Sequence, residues 1–275
     1  MNPFAKASSI LSEADALLIT AGAGMGVDSG LPDFRGNEGF WNAYPPYREL
    51  GKSFVEMANP DAFDFDPAFA WGFYGHRLEL YRATEPHAGF SILRERGENF
   101  PRGCFVMTSN VDGHFQRAGF AERQIYEVHG SIHHLQCTGP CSEEIWSAQG
   151  LNLEVDQATM RATGDLPSCP RCDLIARPNI LMFGDWGYLP SRNSQQEERL
   201  RSWLRSRKDD RIAILEFGAG SAVPTVRRFS EEIASTFPGA TLIRVNPREP
   251  QIPLVGEHLS IQSGALEAIE GMLSC

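Results

Sequence analysis

Apolar residues gather in short unbroken runs along this chain, separated by stretches with a helical repeat. The run Ala16-Leu17-Leu18-Ile19-Thr20 comes first and ends in glycines, as a buried parallel strand does where it enters a loop. Cys104-Phe105-Val106-Met107-Thr108, Ile180-Leu181-Met182-Phe183, Ile212-Ala213-Ile214-Leu215-Glu216-Phe217 and Thr241-Leu242-Ile243-Arg244-Val245 are further strand candidates of this kind. Residues 68–81, 194–207 and 225–236 carry helical patterns between them, and residues 3–14 read as an amphipathic helix. Strands alternating with helices predict an α/β fold, a parallel sheet covered on both faces. Ligands of such a sheet sit at the carboxyl ends of its strands.

Two stretches fit that sheet poorly. Residues 40–65, rich in Pro, Tyr, Trp and Asn, predict a long loop or helical cap. The span from Cys137 to Cys172 has no strong periodicity and is bracketed by cysteine pairs, so it reads as a separate small module. The expected organisation of residues 1–275 is a large sheet domain from 1–40, 86–133 and 176–275, a small metal-binding module at 134–175 and a cap segment at 41–85.

Composition narrows the function classes. Of 275 residues 42% are hydrophobic, enough to bury a sizeable core. A formal net charge of -10 argues against a nucleic-acid groove and suits lysine-rich protein segments as partners. The N-terminus has no uninterrupted apolar region, and no segment approaches the roughly 18 apolar residues of a membrane span. A soluble, cytoplasmic protein without membrane attachment is expected; its oligomeric state is not readable.

Four of the six cysteines form two knuckles, Cys137-x₃-Cys141 and Cys169-x₂-Cys172. Metal ligation suits them better than disulfides in an unexported chain. Tetrahedral zinc takes four thiolates readily, and such a closed site is structural. Four free cysteines, or His133 or His134 in place of one thiolate, are the alternatives.

The chemistry concentrates at strand ends. Gly22-Ala23-Gly24-Met25-Gly26 follows a strand and could cradle a phosphate through backbone N–H groups, although Val27 takes the place of the last glycine of the dinucleotide fingerprint. Ser29-Gly30-Leu31-Pro32-Asp33-Phe34-Arg35-Gly36 extends this loop into a signature that resembles the sirtuin family, in which serine usually stands where this chain has Gly26. Thr108-Ser109-Asn110-Val111-Asp112 resembles the family's T-Q-N-I/V-D, with Ser109 replacing glutamine, and Gln116-Arg117-Ala118-Gly119 continues the match. Val128-His129-Gly130-Ser131 matches its catalytic H-G.

The resemblance implies a Rossmann-like domain that binds NAD and carries a small zinc module. It assigns catalytic roles to His129, Asn110 and Asp112, with His129 as general base toward a ribose hydroxyl. It places Gly22, Ala23, Gly24, Asp33, Phe34, Arg35, Ser109, Asn110 and Asp112 around the cofactor. Gly218, Gly220 and Ser221, in a loop resembling the family's G-T-S, and Asn246 after the next strand would hold the distal end. Tyr74 and Arg77, three apart on a helix, resemble the pair with which some sirtuins hold the carboxylate of succinyl- or malonyl-lysine. Tyr74 in the core with Arg77 in solvent is the rival arrangement.

Phe183-Gly184-Asp185-Trp186 departs from the family's F-G-E and following proline loop, a segment that normally pairs with the substrate peptide. The activity implied is NAD-dependent deacylation of an acyl-lysine protein, releasing nicotinamide and O-acyl-ADP-ribose; the acyl group is acetyl or, through the Tyr74–Arg77 pair, succinyl or malonyl. A mono-ADP-ribosyltransferase or NAD glycohydrolase on the same site is the alternative, and a dinucleotide sensor without turnover the third reading.

Overall fold

The computed structural model describes residues 2–32 and 36–273. The chain opens with α1 (Pro3–Glu13) and β1 (Ala16–Ala21), followed by a 3₁₀ turn over Ala23–Ser29. Four short helices, α2 (Gly36–Ala43), α3 (Pro45–Glu49), α4 (Phe54–Met57) and α5 (Asp61–Phe65), lead into the long α6 (Pro67–Ala83). α7 (Ala88–Glu98), β2 (Cys104–Thr108), the single turn α8 (His114–Arg117) and β3 (Ile125–Glu127) complete the first half. An antiparallel region follows: β4 (Gly130–Cys137), β5 (Trp146–Ser147), β6 (Glu154–Asp156), β7 (Arg161–Thr163) and β8 (Ala176–Ile180). The chain then returns to the main sheet through α9 (Ser191–Arg205), β9 (Ile212–Phe217), α10 (Thr225–Thr236), β10 (Ala240–Val245), β11 (Leu259–Ile261) and α11 (Ala265–Leu273).

Six strands form one parallel sheet in the order β11-β10-β9-β1-β2-β3. Two βαβ halves run outward from β1 and β9, so the strand order reverses between them. A crevice opens beyond the carboxyl ends at such a switch point. Every residue of β1 is buried, and its side chains alternate between two cores. Leu17, Ile19 and Ala21 pack with α1, α7 and α11, whereas Ala16 and Leu18 pack with α9 and α10. Coverage of both faces is why the strands read as unbroken apolar runs rather than as alternation.

A third core is rich in aromatic rings. Phe40, Tyr47 and Phe73 meet within it, with Phe40 stacked on Tyr47 at 5.6 Å and edge-on to Phe73 at 5.8 Å. Leu135, Leu153 and Met160 belong to the same cluster, so the cap and the module pack as one body. At Gly72 a Cβ would lie 2.0 Å from the Met160 carbonyl oxygen, so α6 rests directly on the β6–β7 hairpin.

One strand expectation is corrected. Of Ile180-Leu181-Met182-Phe183 only Ile180 is in a strand, and that strand, β8, runs antiparallel to β4 outside the parallel sheet. β8 starts at Ala176, and its polar side chains are buried on specific partners: Arg177 pairs with Asp185, and Asn179 donates to Gln136. Leu181 and Phe183 remain 41% and 38% exposed. Among the described residues, no helix is long and apolar enough to cross a membrane.

Candidate active site

The glycine loops after β1 and β9 meet backbone to backbone at the switch point. Gly22 N–H donates to the Phe217 carbonyl at 2.9 Å and Gly24 N–H to the Gly218 carbonyl at 3.1 Å. A Cβ on Gly22 would come within 2.9 Å of Ala219 Cα, and one on Gly218, whose φ is +58°, within 2.3 Å of Gly24 C. Only glycine allows that approach.

Register then delivers the neighbouring strand ends. Ala21 stands opposite Thr108, and the Ser109 N–H continues the pairing to the Ala21 carbonyl at 3.0 Å. Beyond it, Asn110 turns its amide back to the Gly22 carbonyl at 3.0 Å. Asp112, buried, accepts the His114 N–H at 2.9 Å at the start of α8. The Val128 N–H donates to the Thr108 carbonyl at 2.8 Å, and the next residue is His129.

These groups line one cavity of about 530 Å³, within the range of small-molecule sites. Gly22 and Ala23 form one wall with Gly218 and Gly220; Ser109, Asn110, Asp112 and His129 line it as well. Burial pushes the His129 imidazole below its ordinary value, against a hydrogen bond to the Ser109 backbone that favours the charged form. The ring is therefore neutral near pH 7 and can accept a proton.

Ser221 and Asn246 are held differently. The Glu249 carboxylate takes both the Ser221 N–H, at 3.1 Å, and the Ser221 hydroxyl, at 2.6 Å. Asn246 is fully buried and braces the loop by donating to the Ala219 carbonyl at 2.9 Å. Asp33, Phe34 and Arg35 lie outside the described residues.

Tyr74 and Arg77 line the same cavity, at the wall made by α6. Arg77 is 6% exposed rather than solvated, and its guanidinium lies among the rings of Phe73, Tyr74 and Tyr81 at 5.1, 5.7 and 5.4 Å. Tyr81 accepts from Arg77 Nη2 at 2.7 Å and Nε at 3.2 Å. The Tyr74 hydroxyl is buried without a hydrogen-bond partner, and burial holds its pKa up at about 12, so it stays a donor. Tyr81 is absent from the sequence-based assignment, although its place one helical turn after Arg77 was a usable signal. Phe54 and Met182 also line the cavity unannounced, beside Phe183 of the segment already compared with the family's F-G-E.

The 181–187 segment is tightly held beside this site. Leu181 N–H donates to the His129 carbonyl at 2.9 Å. Asp185, whose carboxylate is fully buried, meets Arg177 with two 2.8 Å bonds and accepts the Gly187 N–H at 3.1 Å. Trp186, 99% exposed, projects from this clamped turn into solvent.

Cys137, Cys141, Cys169 and Cys172 place their sulfurs within 4.8 Å of one another. The pairs Cys137–Cys172 and Cys141–Cys169 are 3.6 Å apart. Tetrahedral zinc with bonds of about 2.3 Å sets the sulfurs about 3.8 Å apart, so the thiolates fit that ion and are too far apart for disulfides. Neither His133 nor His134 joins the group; His133 Nε2 lies 2.8 Å from the Asp112 carbonyl instead.

Residues 22–200 match the model of the Sir2 family. An NAD-dependent protein deacylase of Aeropyrum pernix is 32% identical over 86% of this chain and 83% of its own length. NAD-dependent protein deacylase 1 of Caldanaerobacter subterraneus is 29% identical over 94% of this chain and 92% of its own. A solved Sir2 homolog–NAD complex superposes with a TM-score of 0.70 at 25% identity, covering 98% of this chain and 92% of that one. The family match runs through the glycine loop, the strand-end amide, the histidine and the cysteine knuckles alike, and this chain belongs to the Sir2 family.

Proposed function

We propose that this chain is an NAD⁺-dependent protein-lysine deacylase, with zinc as a structural ion. The observation that carries the reading is the neutral imidazole of His129 in one cavity with the paired glycine loops and Asn110. When bound, NAD⁺ supplies a glycosidic bond whose cleavage releases nicotinamide and exposes a ribose carbon to an acyl oxygen. The backbone of Gly22, Ala23 and Gly218 offers close approach to a dinucleotide, and Asn110 and Asp112 orient polar groups at the strand end. His129 takes up a proton at a ring nitrogen. The four cysteine thiolates would hold zinc and pin the two knuckles together.

The α6 wall suggests the acyl class. A buried guanidinium beside an unpartnered phenol donor suits the terminal carboxylate of a succinyl- or malonyl-lysine better than acetyl-lysine. Thiolates gathered for one metal suit a reducing compartment, so a cytoplasmic site of action is part of the proposal. The acidic chain favours lysine-rich protein segments over nucleic acid.

Purified protein incubated with NAD⁺ and acyl-lysine peptides should release nicotinamide only when the peptide is present, and His129→Ala should abolish the release. Nicotinamide release without any acyl substrate, or an ADP-ribose mass added to a protein target, would replace deacylation by hydrolysis or transfer.

A further inference from the structure

The glycine loop is fastened from behind by a residue outside the cavity lining. His87 precedes α7 and caps it: its Nδ1 accepts the Gly89 N–H at 3.1 Å. A ring nitrogen that accepts carries no proton, so in the neutral ring the hydrogen sits on Nε2. Nε2 lies 3.0 Å from the carbonyl oxygen of Met25, inside the 3₁₀ turn that continues the cofactor loop. The His87 backbone N–H donates to the Ser29 hydroxyl at 2.9 Å, at the far end of the same turn. One residue thus grips this turn at two points.

The ring has little freedom there. It is 8% exposed, lies 4.8 Å from the Phe90 ring, and covers Gly89 so closely that a Cβ there would stand 2.7 Å from it. The opposite side of the loop is tied by other means, Gly24 to Gly218 and Asp28 to the Leu266 N–H of α11. Gly26 contributes no side chain, so the back of the turn depends on its neighbours for definition.

We propose that His87 is a positioning residue of the NAD⁺ site, a neutral imidazole that latches the 3₁₀ turn over Ala23–Ser29 and thereby sets the glycine loop for the dinucleotide. This rests on the reading of that loop as the NAD⁺ site. Protonation would place a second donor on Nδ1, facing the Gly89 N–H, and so break the cap that aims the ring. Burial lowers the pKa of His87, opposed by the Met25 carbonyl and by the charges of Asp28 and Glu270, with His114 adding to the lowering. A lowered value means the latch is complete above it and loosens as pH falls through it, on the acid side of 6.5.

His87→Asn separates the two functions of the side chain. Asparagine keeps an oxygen to cap α7 but is too short to reach the Met25 carbonyl. Calorimetric NAD⁺ titrations from pH 5 to 8 and amide hydrogen exchange over residues 23–29 test the assignment. The variant should stay folded, melting a few degrees lower for the lost Met25 contact, bind NAD⁺ roughly three- to tenfold more weakly near pH 7.5, and exchange faster over those residues. Wild-type affinity should fall toward the variant's as the pH drops below 6.5. Wild type that binds while the variant matches it in affinity and exchange would overturn the latch alone. Wild type that binds no NAD⁺ would overturn the site reading, and the latch with it.

Discussion

Removing the carboxylate of Asp185 should be among the most damaging single changes outside the cavity. Its partner guanidinium, on Arg177, is 2% exposed, and the carboxylate itself is 0% exposed. Asp185→Ala therefore leaves a buried cation without its counter-charge and deprives the N–H groups of Met182 and Gly187 of an acceptor. Breaking a buried pair from one side costs about 3–5 kcal/mol. At about 2–4 °C per kcal/mol for a chain of this size, the melting temperature should fall by roughly 6–20 °C.

Arg177→Met combined with Asp185→Leu removes both charges and should recover the part of that loss due to the unpaired cation, the Met182 and Gly187 N–H groups still lacking their acceptor. Thermal melts of Arg177→Met, Asp185→Leu and the double variant complete the cycle. A loss below about 1 kcal/mol in Asp185→Ala would mean that water reaches the guanidinium, and the clamp would not be what orders the turn. If the clamp does order it, the Michaelis constant for an acyl peptide should rise more than that for NAD⁺, because Met182 and Phe183 of the same segment line the cavity.

Other expectations follow from the site. The acid limb of kcat/KM should have its midpoint below 6.5, because burial lowers the His129 pKa and the base form is lost only as pH falls through that value; a midpoint above 6.5 would contradict it. Arg77→Met should depress turnover of succinyl-lysine peptide at least tenfold while sparing acetyl-lysine peptide, and Tyr81→Phe should do so more mildly, since it removes only the acceptor of the Arg77 N–H groups. Equal loss on both peptides would remove α6 from acyl selection. Chelation of zinc should lower the melting temperature and expose the knuckles to thiol reagents, and an unchanged melt after verified metal loss would count against a structural ion.

What could be read from the chain divides by the kind of physics involved. β1, β2, β9 and β10 announced themselves because both faces of the sheet are covered by helices, which forces consecutive residues to be apolar. β8 is also buried throughout, yet its sequence is Ala-Arg-Pro-Asn-Ile. Its Arg177 pairs with Asp185, eight positions on, and its Asn179 amide donates to Gln136, 43 positions back, and no local pattern announces such partners. The run read in its place, residues 180–183, is apolar for another reason: it supplies cavity wall and a partly exposed rim.

The cap hid its helices in a similar way. α3, α4 and α5 are four or five residues long, too short to display a period, and rest on aromatic contacts such as Phe40–Tyr47 that only the folded chain assembles. Site residues divide likewise. Gly22, Asn110 and His129 stand in motifs because backbone geometry fixes their spacing, and Tyr81 follows Arg77 by one turn of α6, whereas His87 acts through contacts with a distant segment. His87 is the clearest example: it lies 62 positions from Met25 and 58 from Ser29, and nothing around it in the chain distinguishes it from an ordinary helix cap. Its relation to the glycine loop arises because α7 and the 3₁₀ turn pack together at the carboxyl end of β1. Features set by the local chain are legible in sequence, and those set by tertiary convergence become visible only in the fold.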